Sequence, residues 1–224
     1  MAKSSLFIST NCRPSIRASL QSILQLRIIQ PNARHLGLPL FFHRNKSLAF
    51  EDLKLKILNR LSAWKAKLLS QAARTTLIKT VANAMRSYSM SLFLFPKALC
   101  QSIDSSLRKF WWGFPQDKRH NISLLSWNRI CTPIAAGGLS LRLMECQNLS
   151  LLAKIGWKLL TNQDLLWVKS LSAKYLHNTN FLSSPIPTTS SWLWKGILKC
   201  RNVVTKGACW SISSGSSINI WDSP

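Results

Sequence analysis

Apolar residues recur at intervals of four and three positions in the first half of the chain, which is the spacing of one face of an α-helix. The first stripe consists of Leu53, Ile57, Leu61, Trp64 and Leu68. Ser47 precedes it, and Glu51 and Asp52 fall in the predicted first turn, where a hydroxyl cap and carboxylates favour a helix N-terminus. The pattern therefore predicts a helix with one buried face.

Two further helices are predicted between residues 71 and 112. Ser70 is suited to cap the first of them, over residues 71–85. Its apolar side consists of Leu77, Val81 and Ala84. The second helix begins at Pro96 and ends before Gly113, because proline suits a helix start and glycine a helix end. Its apolar stripe consists of Leu99, Ile103, Leu107 and Phe110.

The rest of the chain gives shorter signals. Helices are predicted over residues 14–24, with Pro14 at the start, and over residues 145–160, 164–176 and 190–198. Residues 4–9 and 34–40 predict strands, the second ended by Pro39, and PIAAGG at 133–138 predicts a turn. CWSIS and SINIW alternate apolar and polar residues around SGS, which predicts a C-terminal β-hairpin. The predicted fold is therefore mainly α.

The stretch RKFWWGFPQ, residues 108–116, places two tryptophans side by side at the end of the helix that begins at Pro96. At 100° per residue, Trp111 lies about 80° from the centre of the apolar stripe, and Trp112 lies on the opposite side, near Arg108. Trp111 is therefore predicted to be core. Trp112 is either a platform on which a nucleic-acid base stacks or a packing contact with the C-terminal half, and packing is the commoner fate.

The charge balance points to a polyanionic partner. The 224 residues include 30 lysines and arginines against 7 acidic residues, a formal net charge of +23. Self-repulsion at this charge opposes compaction, and a polyanion would relieve it. Nucleic acid is the first candidate and an anionic membrane surface the second, although no apolar run reaches membrane-spanning length.

The scarcity of acidic residues also limits the possible chemistry. Catalysis by two metal ions needs several carboxylates around the ions, whereas only Glu51 and Asp52 are adjacent, and neighbours on a helix do not face one site. The six cysteines form no C-x-x-C pair, and the four histidines add no ligand spacing. We therefore expect no catalytic residue, no metal or other cofactor, and no small-molecule substrate.

Four basic residues form a candidate phosphate-binding line. Lys56, Arg60, Lys67 and Arg74 differ by four and seven positions. If the first two helices run on continuously, these side chains lie within about 60° of one another and roughly 100° from the apolar stripe. A solvated helix face is the alternative, but the net charge favours contact with a nucleic-acid backbone.

The N-terminal region permits a different interpretation. No acidic residue precedes Glu51, and arginines are spread through serine-rich sequence. That composition is typical of a mitochondrial transit peptide. The arginines are Arg13, Arg17, Arg27, Arg34 and Arg44.

Ten sequence motifs follow one another between Lys3 and Asp222: KSSLFIS, HLGLPLFFHRNK, LSAWKAKLLSQAARTTLIKTVANAM, YSMSLFLFPKALCQSID, FWWG, LSWNRICTPIAAGGLSLR, LLAKIGWKLL, AKYL, SWLWKGIL and SINIWDSP. In these motifs and in their order the chain resembles the reverse transcriptase of plant LINE-type (non-LTR) retrotransposons. The sequence departs from the family at Ala73, where glycine is favoured, and in PIAAGG, where a lysine is usual. SSGSSI also lacks the usual acidic or amide residue before its glycine.

The resemblance implies three regions. Residues 1–44 would be a small α/β remnant of the palm, in which His35, Leu36, Gly37 and Leu38 match the turn that grips the primer end. Residues 45–113 would be a thumb-like helical bundle. Residues 114–224 would be a mainly helical connecting region with the C-terminal hairpin. The family's catalytic aspartates lie upstream of the KS motif at Lys3 and Ser4, so the resemblance implies that this chain is not itself an enzyme.

These observations predict a truncated reverse transcriptase that binds RNA or DNA without sequence preference. The residues predicted to bind nucleic acid are Lys56, Arg60, Lys67, Arg74, Arg108 and Trp112. Two alternatives stay open: an RNA-directed DNA polymerase or ribonuclease H, as the intact family would be labelled, and a basic mitochondrial protein with a cleaved leader. The resemblance at KSSLFIS explains the N-terminus without targeting and favours the nucleus or cytoplasm.

Overall fold

The computed structural model of the chain describes residues 4–9, 11–29, 33–35, 38–39, 50–64, 66–115, 122–177, 179–186 and 188–209. The chain divides into two compact units, residues 1–51 and 52–224. The described part is mainly helical, as the hydrophobic pattern predicts.

The first unit contains a helix between two parallel strands. Its elements are β1 Ser5–Leu6, α1 Pro14–Leu24 and β2 Arg27–Ile28. Ser5 pairs with Arg27 and Leu6 with Ile28, and α1 supplies the crossover that a parallel pair needs. The predicted helix over residues 14–24 is confirmed, whereas β2 was not predicted because two residues are too short for an alternating pattern.

The single strand predicted over residues 34–40 is wrong. Two short strands, β3 Arg34–His35 and β4 Leu38–Pro39, pair with each other in antiparallel fashion, with His35 opposite Leu38. Antiparallel strands separated by two residues are the usual arrangement of a tight hairpin, for which a glycine between them is a signal. Leu36 and Gly37 lie outside the described residues.

The second unit is a helical assembly. Its helices, the first of which begins at the unit boundary, are α2 Glu51–Ala63, α3 Gln71–Leu77, α4 Asn83–Leu92, α5 Lys97–Trp112, α6 Trp127–Ile130, α7 Met144–Thr161, α8 Leu166–Tyr175, α9 Trp192–Lys199 and α10 Arg201–Gly207. A π-helical segment, Ile78–Ala82, joins α3 to α4. Two 3₁₀ turns occupy Ala66–Leu68 and Ile134–Ala136.

The first two helices predicted in this unit are not continuous. α2 ends at Ala63, and Ser70 opens α3 by accepting a hydrogen bond from the backbone amide of Ala73 at 3.2 Å, which confirms the predicted cap. Ile57 and Leu61 are buried as the stripe predicts, but Leu68 is 79% exposed because the break changes the direction of its side chain. Ser47, the predicted cap of α2, lies outside the described residues.

The buried residues of the π-helical segment are offset by one position from the predicted stripe. Ile78 and Ala82 are buried, whereas the predicted stripe included Val81, which is half-buried, and Ala84, which is exposed. The offset is present from the first residue of the segment, where Ile78 is buried and Leu77 is half-buried.

α5 matches its prediction at both ends. Pro96 precedes it, and Gly113 follows with a φ of +74°, a left-handed conformation that glycine adopts without a steric penalty. The predicted stripe is fully confirmed, since each of its members is buried. Those residues are Leu99, Ile103, Leu107 and Phe110.

α7 lies at the centre of the second unit and packs against α4, α5, α9 and α10. Its buried Leu152 and Leu159 belong to a core cluster that also contains Phe181 and Trp194. The Trp194 ring stacks on Tyr175 at a centroid distance of 4.7 Å. The predicted helices at 145–160, 164–176 and 190–198 are thus confirmed with small shifts at their ends.

A buried amide joins α7 to the connection between α4 and α5. Asn148 Nδ2 donates hydrogen bonds to the carbonyl oxygens of Met90 at 2.7 Å and Phe93 at 2.9 Å. The backbone amide of Phe95 donates to Asn148 Oδ1 at 2.7 Å. The side chain therefore satisfies backbone groups at the point where α4 ends and the chain turns into α5.

Sequence analysis did not predict α6 or α10. α6 has four residues, fewer than a periodicity window needs, and its start is held by Ser126, whose hydroxyl accepts from the Arg129 amide at 3.3 Å. α10 contains two adjacent valines, which favour strands in isolation, but buried Val204 holds it against the core. The predicted hairpin after Cys209 lies outside the described residues.

Candidate nucleic-acid interface

α2 presents two of the predicted phosphate-binding residues on one side. Lys56 and Arg60 are four residues apart and exposed, while Ile57 and Leu61 are buried. Residues at this spacing are neighbours on a helix surface, with Cβ atoms about 5–6 Å apart. The two cations can therefore contact successive phosphates of one strand.

Lys67 is also exposed, but it lies on the 3₁₀ turn after α2 ends. The angles expected for one continuous helix therefore do not extend from Arg60 to Lys67 or Arg74. The structure keeps Lys56, Arg60 and Lys67 accessible to solvent, and we call these three side chains the α2 basic face.

Arg74 is committed to a contact within the fold. Its guanidinium Nη1 donates to the carbonyl oxygen of Trp111 at 2.9 Å. A Cβ built on Gly113 would come within 2.9 Å of the same nitrogen, so the guanidinium lies directly against the end of α5. Its Nε is buried and has no hydrogen-bond partner among the described residues. These contacts separate Arg74 from the α2 basic face.

The two adjacent tryptophans have different environments. Trp111 is 5% exposed and donates from Nε1 to Thr75 Oγ1 at 2.9 Å, which confirms its predicted place in the core. Trp112 is half-buried, with its ring edge-on to Trp111 at 4.9 Å and nearly parallel to Phe114 at 6.2 Å. Its ring nitrogen is buried as well. These contacts favour packing over base stacking for Trp112.

Arg108 is exposed near the end of α5. This end of the helix contacts the segment between α2 and α3, because the Phe110 ring lies 5.4 Å from the Trp64 ring. Arg108 lies two positions before Phe110 and therefore on a different side of α5, where it is a separate exposed cation of the second unit.

The four residues that the resemblance matches to a primer grip belong to the first unit. His35 is in β3 and Leu38 is in β4, and the two residues pair across the hairpin. Their partners in the motif, Leu36 and Gly37, fall outside the described residues.

Sequence analysis overlooked Trp157 on α7. Its side chain is 45% exposed, the highest value among the tryptophans of the described part of the chain. Lys154 precedes it by three residues and is exposed, and Lys158 follows it. The sequence indicates that Trp157 is exposed, since this residue lies off the apolar stripe that contains Leu152 and Leu159.

Three of the described carboxylates have hydrogen-bond or ion-pair partners. The two oxygens of Asp104 accept from the backbone amide of Met144, at 3.3 and 3.2 Å, and so cap the start of α7. Glu145 pairs with Lys97 at 3.3 Å, and Asp164 pairs with Lys169 at 3.9 Å. Within the described ranges, no group of three or more His, Cys, Asp or Glu side chains could hold a metal ion.

A groove of about 910 Å³ lies between the end of α7, α8 and the loop that follows α8. Apolar side chains, among them Leu159, Val168 and Phe181, line it together with the charged Asp164 and Lys169. The hydroxyl of Thr179, also in its wall, donates to the Leu176 carbonyl oxygen. The groove thus offers a mixed surface without an activated nucleophile among its lining residues.

Two thiols are held in the protonated form. Burial raises the pKa of Cys131 to about 12, with smaller contributions from Asp104 and Cys146. Burial also raises the pKa of Cys200 to about 11. Because the thiolate is the reactive form, neither side chain is suited to nucleophilic chemistry near neutral pH.

None of the helices in the described ranges is long and apolar enough to cross a lipid bilayer.

No protein-family model matches the chain. A protein of Arabidopsis thaliana with the name "Putative ribonuclease H protein" is 32% identical over 187 residues, which cover 82% of this chain and 30% of that protein. An uncharacterized mitochondrial protein of the same plant is 28% identical over 139 residues, which cover 62% of this chain and 90% of that protein. The chain thus spans about 30% of the length of the first relative. Both similarities are compatible with an origin in a retroelement.

Proposed function

We propose that the chain derives from a non-LTR retrotransposon reverse transcriptase and binds RNA or DNA without sequence specificity. The observation that supports this proposal most directly is the α2 basic face, in a chain with a net charge of +23. Lys56 and Arg60 are exposed beside buried Ile57 and Leu61, and exposed Lys67 follows on the 3₁₀ turn after the helix. Buried apolar residues fix the helix, and the lysine and arginine side chains extend to a phosphate backbone.

The number of available cations supports the same proposal. Arg108 at the end of α5 adds a fourth exposed cation in the second unit. The ion pairs Lys97–Glu145 and Lys169–Asp164 involve neither Arg108 nor the α2 basic face. Contacts to phosphates alone give little sequence preference, because phosphates carry no base information.

The similarity to a protein whose name includes ribonuclease H is a second line of support, since that name denotes an activity on nucleic acid. We propose a binding role without polymerase chemistry for this chain. The carboxylate of Asp104 caps α7, and Glu145 and Asp164 pair with lysines, so these three are employed structurally. Primer extension with Mg²⁺ or Mn²⁺ should therefore give no product above a blank.

The binding proposal is tested by removing the α2 basic face. The variant carries Lys56→Ala, Arg60→Ala and Lys67→Ala, and a matched control carries Lys174→Ala, Lys199→Ala and Lys206→Ala, three exposed lysines elsewhere in the same unit. Both variants lose three positive charges. Arg74 is left intact in both, because its contact with Trp111 makes its removal a change in stability.

Binding of a fluorescent oligonucleotide is measured by anisotropy over a series of salt concentrations. Each phosphate neutralised contributes about 0.7–0.9 to the slope of log K against log salt, so the first variant should lose roughly two units or slightly more. The control should lose much less. Equal losses would show that net charge and not this face binds nucleic acid, and the absence of binding by the unmodified protein would refute the proposal.

The mitochondrial alternative rests on the serine- and arginine-rich composition before Glu51. Expression of the full chain in plant cells, followed by fractionation and N-terminal sequencing, tests it. Recovery in mitochondria with a new N-terminus after the arginine-rich stretch would favour a cleaved leader, and an intact N-terminus in the nucleus or cytoplasm would exclude one.

A further inference from the structure

Trp157 stands on the solvent side of the central helix of the second unit. Its side chain is 45% exposed, while Leu152, Gly156 and Leu159 of the same helix are buried. A tryptophan buries about 150–250 Å² when it is fully packed, so a ring this exposed forgoes a large part of its burial energy. Packing therefore does not explain its position, which distinguishes it from Trp111 and Trp194.

Two lysines lie on one side of the indole. At 100° per residue, Lys154 lies about 60° and Lys158 about 100° around the helix from Trp157, in the same direction. They are also four residues apart, so they neighbour each other on the helix surface. Lys154 is exposed and Lys158 half-buried. The surface thus has an aromatic ring on one side and a pair of ammonium groups on the other.

This arrangement matches the chemistry of single-stranded nucleic acid. An unpaired nucleotide presents a flat base on one side and a negative phosphate on the other, and base-to-aromatic stacking combined with lysine contacts is how such strands are held. A base in a duplex is already stacked on both sides and has no face to offer. The charge of the chain, +23, favours a polyanionic occupant over a neutral apolar partner.

We propose that Trp157 is a stacking platform for an unpaired base of single-stranded RNA or DNA, and that Lys154 and Lys158 bind the adjoining phosphates. This inference rests on the proposed function, because it names the form of nucleic acid that the protein prefers. It also assigns the stacking role to a residue of α7, on a different helix from the α2 basic face and from Trp112.

The test compares Trp157→Ala with a matched aromatic control, Tyr88→Ala. Tyr88 is 41% exposed on α4, and the residues three and four positions away from it carry no charge. Those residues are Ala84, Met85, Ser91 and Leu92. Affinities for a fluorescent oligothymidylate and for a duplex of equal length are measured by anisotropy with the full chain.

Trp157→Ala should weaken single-strand binding by about 5- to 150-fold, the equivalent of the stacking energy of one base. Duplex binding should change less than about twofold, and Tyr88→Ala should leave both affinities unchanged. Trp157→Phe should keep most of the single-strand affinity, because phenylalanine also stacks. Lys154→Ala with Lys158→Ala should lower the single-strand salt slope by about 1.4 units.

The outcomes separate this inference from the proposed function. If the unmodified protein binds neither oligonucleotide, both fail. If it binds but Trp157→Ala retains full single-strand affinity, or loses affinity for the duplex to the same extent, the stacking role is overturned while non-specific binding stands. Light scattering on the same samples tests whether a second copy of the chain occupies this face. Loss of a dimer in Trp157→Ala would show that it does and would overturn the inference. A Trp157→Phe protein that folds normally but binds as weakly as Trp157→Ala would overturn it too.

Discussion

Arg74 and Trp111 connect α3 to the end of α5 through a hydrogen bond of 2.9 Å from the guanidinium to a backbone carbonyl. Trp111 completes the connection by donating from its ring nitrogen to Thr75, also at 2.9 Å. The carbonyl belongs to the last turn of α5, where backbone oxygens lack partners within the helix. A positive charge at this end also interacts favourably with the helix dipole. Arg74 thus acts in the fold, although its spacing had suggested a phosphate ligand.

Arg74→Ala should lower the free energy of unfolding by about 1–3 kcal/mol, because it leaves a partly buried carbonyl without a donor. Urea denaturation measures the loss. Arg60→Ala is the matched control, since Arg60 is exposed on α2 and its removal should change stability by less than about 0.5 kcal/mol. A stable Arg74→Ala protein with weakened oligonucleotide binding would instead support the phosphate-binding role.

Trp111→Ala should be more damaging than Trp112→Ala. Trp111 is 5% exposed and holds Thr75, so its truncation should cost about 3–5 kcal/mol through the cavity and the lost hydrogen bond. Trp112 is half-buried against Phe114 and Trp111, so we expect a smaller loss of stability and no change in single-strand affinity. Thermal melting and anisotropy on both variants decide the question. Weaker binding by Trp112→Ala at an unchanged melting temperature would identify Trp112 as a stacking residue after all.

α5 and the residues before it show which structural features can be predicted from the local sequence. Its stripe and both of its ends follow from local rules, since Pro96 and Gly113 act on their own backbone. The offset of the buried residues from Leu77 and Val81 to Ile78 and Ala82 follows no such rule. A local period predicts that a helix forms but does not decide which of two adjacent apolar residues is buried.

In the candidate site, too, the exposure of side chains could be predicted from the sequence, whereas a contact between distant residues could not. The exposure of Lys56 and Arg60 follows from their position beside the buried stripe of α2. The role of Arg74 could not be predicted from the sequence. Its hydrogen-bond acceptor is the backbone oxygen of Trp111, which lies 37 residues away, and every residue type has such an oxygen. The sequence favours an exposed position for Trp157, since it lies off the apolar stripe of α7. Only its burial in the folded chain shows whether such a tryptophan is exposed or packed.

Asn148 should be among the residues least tolerant of substitution. It is 1% exposed, and its amide makes three hydrogen bonds to the backbone of residues 90–95. Asn148→Asp should be strongly destabilising, because a carboxylate cannot donate to the carbonyl oxygens of Met90 and Phe93 and would be buried with its charge. Loss of these two hydrogen bonds at about 1–3 kcal/mol each, together with the buried charge, threatens the fold of the whole unit.

Circular dichroism during chemical denaturation measures the effect of Asn148→Asp. Asn162→Asp is the control, because Asn162 is exposed after the end of α7 and should tolerate the change. If Asn148→Asp unfolds at nearly the same denaturant concentration as the unmodified protein at neutral pH, the connection between α4 and α5 does not depend on this amide.

The Cys200 thiol should make the protein less stable in alkali. Its pKa is raised from 9.0 to about 11 in the folded chain, mainly by burial, so the unfolded chain loses the proton first as the pH rises. Stability is therefore fully present below about pH 9 and is lost as the pH approaches the folded value, at a rate of about 1.4 kcal/mol per pH unit for one thiol.

Cys200→Ser keeps a donor for the Ile197 carbonyl oxygen, which the thiol contacts at 2.8 Å, but does not titrate in this range. The free energy of unfolding, measured with urea from pH 8 to pH 10.5 under reducing conditions, should fall less steeply for Cys200→Ser than for the unmodified protein. Cys209→Ser is the control, since it removes an exposed thiol outside the buried core. Parallel curves for all three proteins would mean that the folded chain does not hold the Cys200 proton more tightly than the unfolded chain does.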